Sequence, residues 1–156
     1  GDRMEFPDTS MVDEFLAEGR KGRKSGKGFY VYTKGESKTV KGRKIVDPAV
    51  TARMGVSPQS MSPEAISERL ILALVNEAAW CLHDGILREP RAGDLGAVMG
   101  IGFPPMEGGP FQYCDRIGLP KIVERLRALA TSQGRRFEPC PLLETKEAEE
   151  SSFYGG

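Results

Sequence analysis

The chain has 156 residues, 39% of them hydrophobic and 28% charged, and 22 basic residues balance 22 acidic ones to leave no net charge. This is the composition of one globular domain or two small ones, which excludes collagen-like and disordered classes. Zero net charge argues against a general nucleic-acid or anionic-membrane binder, and no apolar run approaches the ~20 residues a membrane span needs.

Gly1 to Asp8 holds no apolar stretch, so no signal peptide is expected. Residues 8–19 predict a short amphipathic helix, capped by Asp8, Thr9 or Ser10, with Met11, Val12, Phe15 and Leu16 inward and Gly19 as its stop. Between Arg20 and Lys44 stand ten Lys or Arg against the single acid Glu36, a local excess of nine. Inside this basic stretch Phe29-Tyr30-Val31-Tyr32 is β-prone and predicts a hairpin with Lys44-Ile45-Val46, leaving 33–43 as a mobile loop. Asp47-Pro48 opens a brief helical turn to about Met54, and 55–61 reads as linker.

Ser62-Pro63-Glu64 is a strong helix start, with a cap, a proline at the first helical position and an acid in the first turn. The helix should run to about Asp84. Ile66, Leu70, Leu74, Ala78 and Cys81 form one apolar stripe, and Leu72, Val75, Ala79 and Leu82 form another. Two stripes predict a helix buried on most sides, the core of its domain. Further helices are expected over 91–100, from Pro110 to Ile117 and from Pro120 to about Ser132. The last stretch, with Pro139-Cys140-Pro141 and the acidic run Glu144 to Glu150, is expected to pack a little and then fray at Gly155-Gly156. The fold class is therefore mainly α, with a small β-hairpin near the N-terminus.

Chemistry-bearing residues are sparse. Cys81, Cys114 and Cys140 are odd in number and far apart, which suits reduced thiols and no disulfide framework. The single histidine, His83, lies two positions from Cys81, and on a helix such residues point about 200° apart, so they form no thiolate–imidazole pair. No zinc-binding spacing is present. Gly100-Ile101-Gly102 lacks the third glycine and flanking strand of a dinucleotide fingerprint, and suits a tight inter-helix corner. Gly22 to Gly28 has one residue too few for a phosphate loop of the Walker type. Its glycines and lysines still suit either phosphate contact or a solvated basic loop on an acidic neighbour. Trp80 reads as a core or interface anchor, and Asn76 and Glu77 as polar groups bonding nearby backbone.

Four segments together resemble one family. They are Arg20 to Tyr32, Leu74-Val75-Asn76-Glu77-Ala78, Gly93 to Pro105, and Gly108 to Asp115, in the same order and spacing. The chain is similar to the C-terminal part of the α subunit of the bacterial fatty-acid oxidation complex, of the 3-hydroxyacyl-CoA dehydrogenase C-terminal domain family. The resemblance covers about Met11 to Leu143. It implies that 1–46 is the tail of a first helical domain with its basic loop, 47–61 a linker, 62–143 a second helical domain, and 144–156 a flexible acidic tail.

The resemblance also implies a parent enzyme that hydrates enoyl-CoA and oxidises 3-hydroxyacyl-CoA with NAD, in the cytoplasm. The histidine–glutamate pair and the carboxylates for those reactions would lie upstream. No catalytic, cofactor-binding or metal residue is therefore assigned in this chain, and no cofactor is expected on it. The catalytic asparagine of the first helical domain has Glu68 at the matching place here, while Asn76 lies two turns on and is not its equivalent. Met99 stands where some relatives place an aromatic beside substrate. Expected partners are the remaining Rossmann and helical domains, a thiolase β subunit and the acyl-CoA substrate, with Lys24 and Lys27 as candidates for coenzyme A phosphates. Neither nucleic acid nor a membrane span is expected, and the chain would self-associate through its uncovered apolar face. The alternative is an autonomous helical interaction module whose basic run docks an acidic partner.

Overall fold

The computed structural model describes residues 9–33, 36–40, 43–55 and 60–155. The chain divides into two units at Ser60/Met61, and its secondary structure is mainly helical.

In the N-terminal unit α1 spans Ser10–Ala17 and buries Phe15. Phe29 meets Phe15 edge-on at 5.6 Å, and the Arg20 and Arg53 guanidiniums lie over the Phe15 ring at 4.9 and 5.5 Å. The expected pairing of the aromatic run with 44–46 is present, with Tyr30 bridged to Val46 and the Val31 amide donating to the Ile45 carbonyl at 2.9 Å. The expected loop at 33–43 is not a loop where it is described. β1 (Tyr32–Thr33) pairs antiparallel with β2 (Glu36–Ser37), and β3 (Thr39–Val40) with β4 (Arg43–Lys44). Lys38 joins them, donating to the Val31 carbonyl at 2.7 Å and accepting from the Ile45 amide at 3.0 Å. Val31, Lys38 and Ile45 thus close a ring of backbone hydrogen bonds, satisfying groups that a free loop would leave to water.

The helical turn expected from Asp47-Pro48 to about Met54 is present, inside the stretch assigned as linker at 47–61. Asp47 caps α2 (Pro48–Met54), accepting from the Ala49 amide at 2.9 Å, and Gly55 closes the helix at φ +61°. Val50 is fully buried, which ties this helix to the N-terminal unit.

In the C-terminal unit α3 runs Pro63–His83, capped by Ser62, whose hydroxyl accepts from the Ala65 amide at 3.2 Å. Around it stand α4 (Pro90–Ile101), α5 (Pro110–Ile117), α6 (Leu119–Gln133) and α7 (Pro141–Ala148). One continuous core joins Leu72, Val75 and Ala79 of α3 to Phe103, Cys114, Ile122, Leu126, Phe137 and Leu143. Each large side chain so buried contributes about 1.5–3 kcal/mol. Gly102 adopts φ +75° and ends α4, so the Gly-Ile-Gly run closes a helix and turns Phe103 into the core.

Two expectations are corrected here. α3 is buried on most sides only over its second half: Leu72, Val75 and Ala79 are core and Ile71, Ala73, Leu74 and Trp80 pack against it, whereas Ile66 and Leu70 in the first half are 45% and 62% exposed. The stretch 144–156 is not a flexible tail where it is described, because Leu142 and Leu143 anchor α7 among its acids. Beyond it the Phe153 ring packs on Phe111 at 4.7 Å, and the Lys146 ammonium donates to the Ser152 carbonyl at 2.6 Å.

Candidate functional site

The outer face of α3 carries a groove of about 420 Å³, floored by Leu70, Ala73, Trp80 and Phe137 and edged by Arg69, Arg135 and Arg136. Asn76 builds its far wall. Only 3% exposed, it donates through Nδ2 to the Glu138 carbonyl at 2.8 Å and accepts through Oδ1 from the Cys140 amide at 2.9 Å. The side chain thus closes backbone groups 62 and 64 residues away, which fixes the turn that carries Phe137. Trp80 is half-buried, and its ring meets His83 edge-on at 5.5 Å. The sequence singled out Trp80 and Asn76. It missed Arg135-Arg136-Phe137, whose one signal was an aromatic beside cations shortly before Pro139.

A second cluster explains the glycine-rich motifs. Asp94 is 4% exposed and accepts from the Phe111 amide at 2.7 Å, the Gln112 amide at 3.2 Å and the Tyr154 hydroxyl at 2.5 Å. It caps α5 from another helix, and the acceptor charge suits that helix N-terminus. Burial, and then the bond to Asp94, raise the Tyr154 phenol above its ordinary range. Gly93 and Gly109 make this approach possible, since a Cβ at Gly93 would lie 2.5 Å from the Phe111 ring. Asp115 repeats the device, accepting from the Phe153 amide at 2.9 Å and the Tyr154 amide at 3.0 Å. Cys114 lies in the core, where burial pushes its thiol up and away from nucleophilic use.

Glu68 pairs with Arg125 at 3.1 Å, in a separate concavity with Glu64, Glu107, Tyr113 and Pro104. Met99 is 78% exposed, and its neighbours Leu95 and Ile101 are exposed too. In the basic loop, Arg20 is spent on structure, donating to the Gly28 carbonyl at 2.9 Å and pairing with Asp47 at 2.6 Å. The Ala49 amide bond first, then Arg20, hold the Asp47 carboxyl below its ordinary value. Lys24 lines a concavity with Lys21, whereas Lys27 pairs its backbone with Gly22 and Val31.

Among the described residues, the groove, the Asp94 cluster and the Glu68 pair are held by packing, caps and ion pairs. None presents a nucleophile bonded to a base. No described helix is long and apolar enough to cross a membrane.

No protein-family model matches the chain. Among curated proteins, it is 44% identical over 155 residues to the fatty acid oxidation complex subunit alpha of Shewanella sp. (strain ANA-3), covering 99% of this chain and 21% of that protein. It is 46% identical to the subunit of the same name from Vibrio parahaemolyticus and 47% identical to that from Vibrio vulnificus, with the same coverage. The match is to a C-terminal portion, so the chain spans about a fifth of the length of these relatives.

Proposed function

We propose that this chain, which corresponds to a C-terminal portion of fatty acid oxidation complex alpha subunits, is a packing unit of its parent and carries no catalytic group of its own. The observation that carries this reading is the division of α3 into two apolar stripes. One is core, while on the other Leu74 packs against that core and Ile66 and Leu70 are 45% and 62% exposed, Leu70 lining the groove beside Trp80. A half-buried tryptophan beside an exposed leucine, rimmed by arginines, has the make-up of an interface centre. The occupant is the parent's preceding helical domain, which presents a like apolar face, so that two related domains in one chain replace a dimer.

In this reading the parent hydrates enoyl-CoA and oxidises 3-hydroxyacyl-CoA with NAD in the cytoplasm, alongside a thiolase subunit. Its chemistry lies outside this chain. Glu68 standing where the catalytic asparagine would be, already paired with Arg125, supports a duplicated domain that has kept its fold and lost the reaction.

Leu70→Glu tests the assignment in two contexts. In the isolated chain Leu70 is in water, so the melting temperature should hardly move. In the whole α subunit the same change buries a charge and should lower stability by about 2–4 kcal/mol, with dehydrogenase kcat and KM within twofold at 25 °C. Loss of kcat with an unchanged melting temperature would put chemistry on α3 and overturn the reading.

A further inference from the structure

Arg69 stands at the rim of the α3 groove, and one of its donors is shut off from water. Its Nε–H is buried and meets no hydrogen-bond acceptor among the described residues. Orphaned buried donors are rare, because each forfeits the bond it made to water. Neighbouring turns of α3 supply nothing, since Ala65, Ile66, Leu72 and Ala73 hold the positions three and four residues away.

The nearby acids are engaged. Glu68 pairs with Arg125 at 3.1 Å, Glu138 with Arg135 at 3.8 Å, and Glu77 has a contact of its own. Among the described residues, no carboxylate comes within ion-pair distance of Arg69. The groove lining carries Arg69, Arg135 and Arg136 against Glu77 and Glu138, so its charge favours an acidic occupant.

We propose that Arg69 is the polar anchor of this interface and takes a carboxylate from an amphipathic segment of the parent's preceding helical domain. This rests on the packing-unit reading and adds the chemistry of the occupant. A guanidinium presents Nε–H and one Nη–H as a parallel pair, which fits a single Asp or Glu side-on. Leu70, Ala73 and Trp80 then receive the aliphatic side of the same segment. The chain spans 21% of its relatives and matches a C-terminal portion of them, so most of such a parent precedes the groove and can supply that segment.

Zero-length carbodiimide coupling in the whole α subunit tests the pair directly. In an Arg69→Lys variant, the new ammonium should couple to one Asp or Glu upstream of the matched portion, identified by mass spectrometry of the joined peptides. Arg69→Met supplies a second measurement. In the 156-residue chain it removes an orphaned donor, so the melting temperature should hold or rise. In the whole α subunit it strands the opposing carboxylate and should lower the melting temperature by about 2 °C or more.

No coupling, or coupling only to acids within this chain, would overturn the proposal. So would coupling to a second α subunit, which would make the groove a self-association site. An Arg69→Met melting temperature that holds in the whole subunit would overturn it as well. Leu70→Glu keeps the two claims apart. If it destabilises the whole subunit while Arg69→Met does not, the packing unit stands and the ion pair falls. If neither does, both fall.

Discussion

Asp94 and Gly109 stand so close that one methyl group on residue 109 would lie 2.4 Å from the Asp94 Cβ, well inside contact distance. The glycine lets the carboxylate reach the first amides of α5, so two residues 15 apart in sequence share one capping site. Gly109 also adopts φ +121°, a conformation costly for any residue with a Cβ. Gly109→Ala should therefore destabilise by about 2–4 kcal/mol. Gly96→Ala on α4, where nothing lies within 4 Å, should be neutral or stabilise by up to about 1 kcal/mol. Thermal unfolding of the two variants checks the pair, and similar losses for both would contradict the close approach.

The Asp94 carboxylate itself should be worth more than any one of its three partners. Asp94→Ala leaves the Phe111 amide, the Gln112 amide and the Tyr154 hydroxyl without their acceptor, at a cost of about 3 kcal/mol. Tyr154→Phe removes one bond and should cost about 1 kcal/mol. In the Asp94→Ala background that second cost should largely vanish. Full additivity in this double-mutant cycle would show that the tyrosine and the carboxylate do not interact.

Much of the helical order was legible because local signals agreed. Ser62-Pro63-Glu64 marks the start of α3, and Pro110 opens α5 with its own fixed φ. The apolar stripes of α3 were legible as well. Which one faces the core was not, because periodicity counts apolar faces without saying what covers them. The amide bonds to Asp94 and Asp115 were hidden by distance along the chain, as these carboxylates serve amides 17 to 39 residues away. The strand pairings inside 33–43 were missed, since two-residue strands display no alternation to read. At the end of the chain a run of acids masked the anchors Leu142, Leu143 and Phe153.

Asp47 gives the N-terminal unit a pH dependence of defined sign. Its carboxyl is held below its ordinary value of 3.8, so the charged form is favoured in the folded state. The resulting stability is fully present above the unfolded value and fades as pH falls through and below about 4. Asp47→Asn keeps an acceptor for the Ala49 amide but loses the ion pair with Arg20, and should cost about 1 kcal/mol at pH 7. The melting-temperature gap between wild type and Asp47→Asn should stay level from pH 7 to 5 and close toward pH 3. A gap that widens on acidification would reverse the assignment.

Asn76 tests the wall of the groove without touching its floor. Asn76→Asp keeps an acceptor for the Cys140 amide but sets a charge against the Glu138 carbonyl, and Asn76→Ala leaves both backbone groups without that partner. Each should cost about 2–4 kcal/mol and loosen the 135–138 turn. Hydrogen exchange at the Cys140 amide reads the effect directly, and unchanged protection there would remove Asn76 from the wall.

The central claim is that α3 docks on the rest of a parent chain through the stripe opposite its core. It is tested most directly by mixing this chain with an α subunit truncated before the matching portion and measuring their association by calorimetry. The account predicts a saturable one-to-one complex, weakened at least tenfold by Leu70→Glu and by Trp80→Ala and unchanged by Lys24→Ala. No association, or equal affinity for the Leu70→Glu and Trp80→Ala chains, would contradict it.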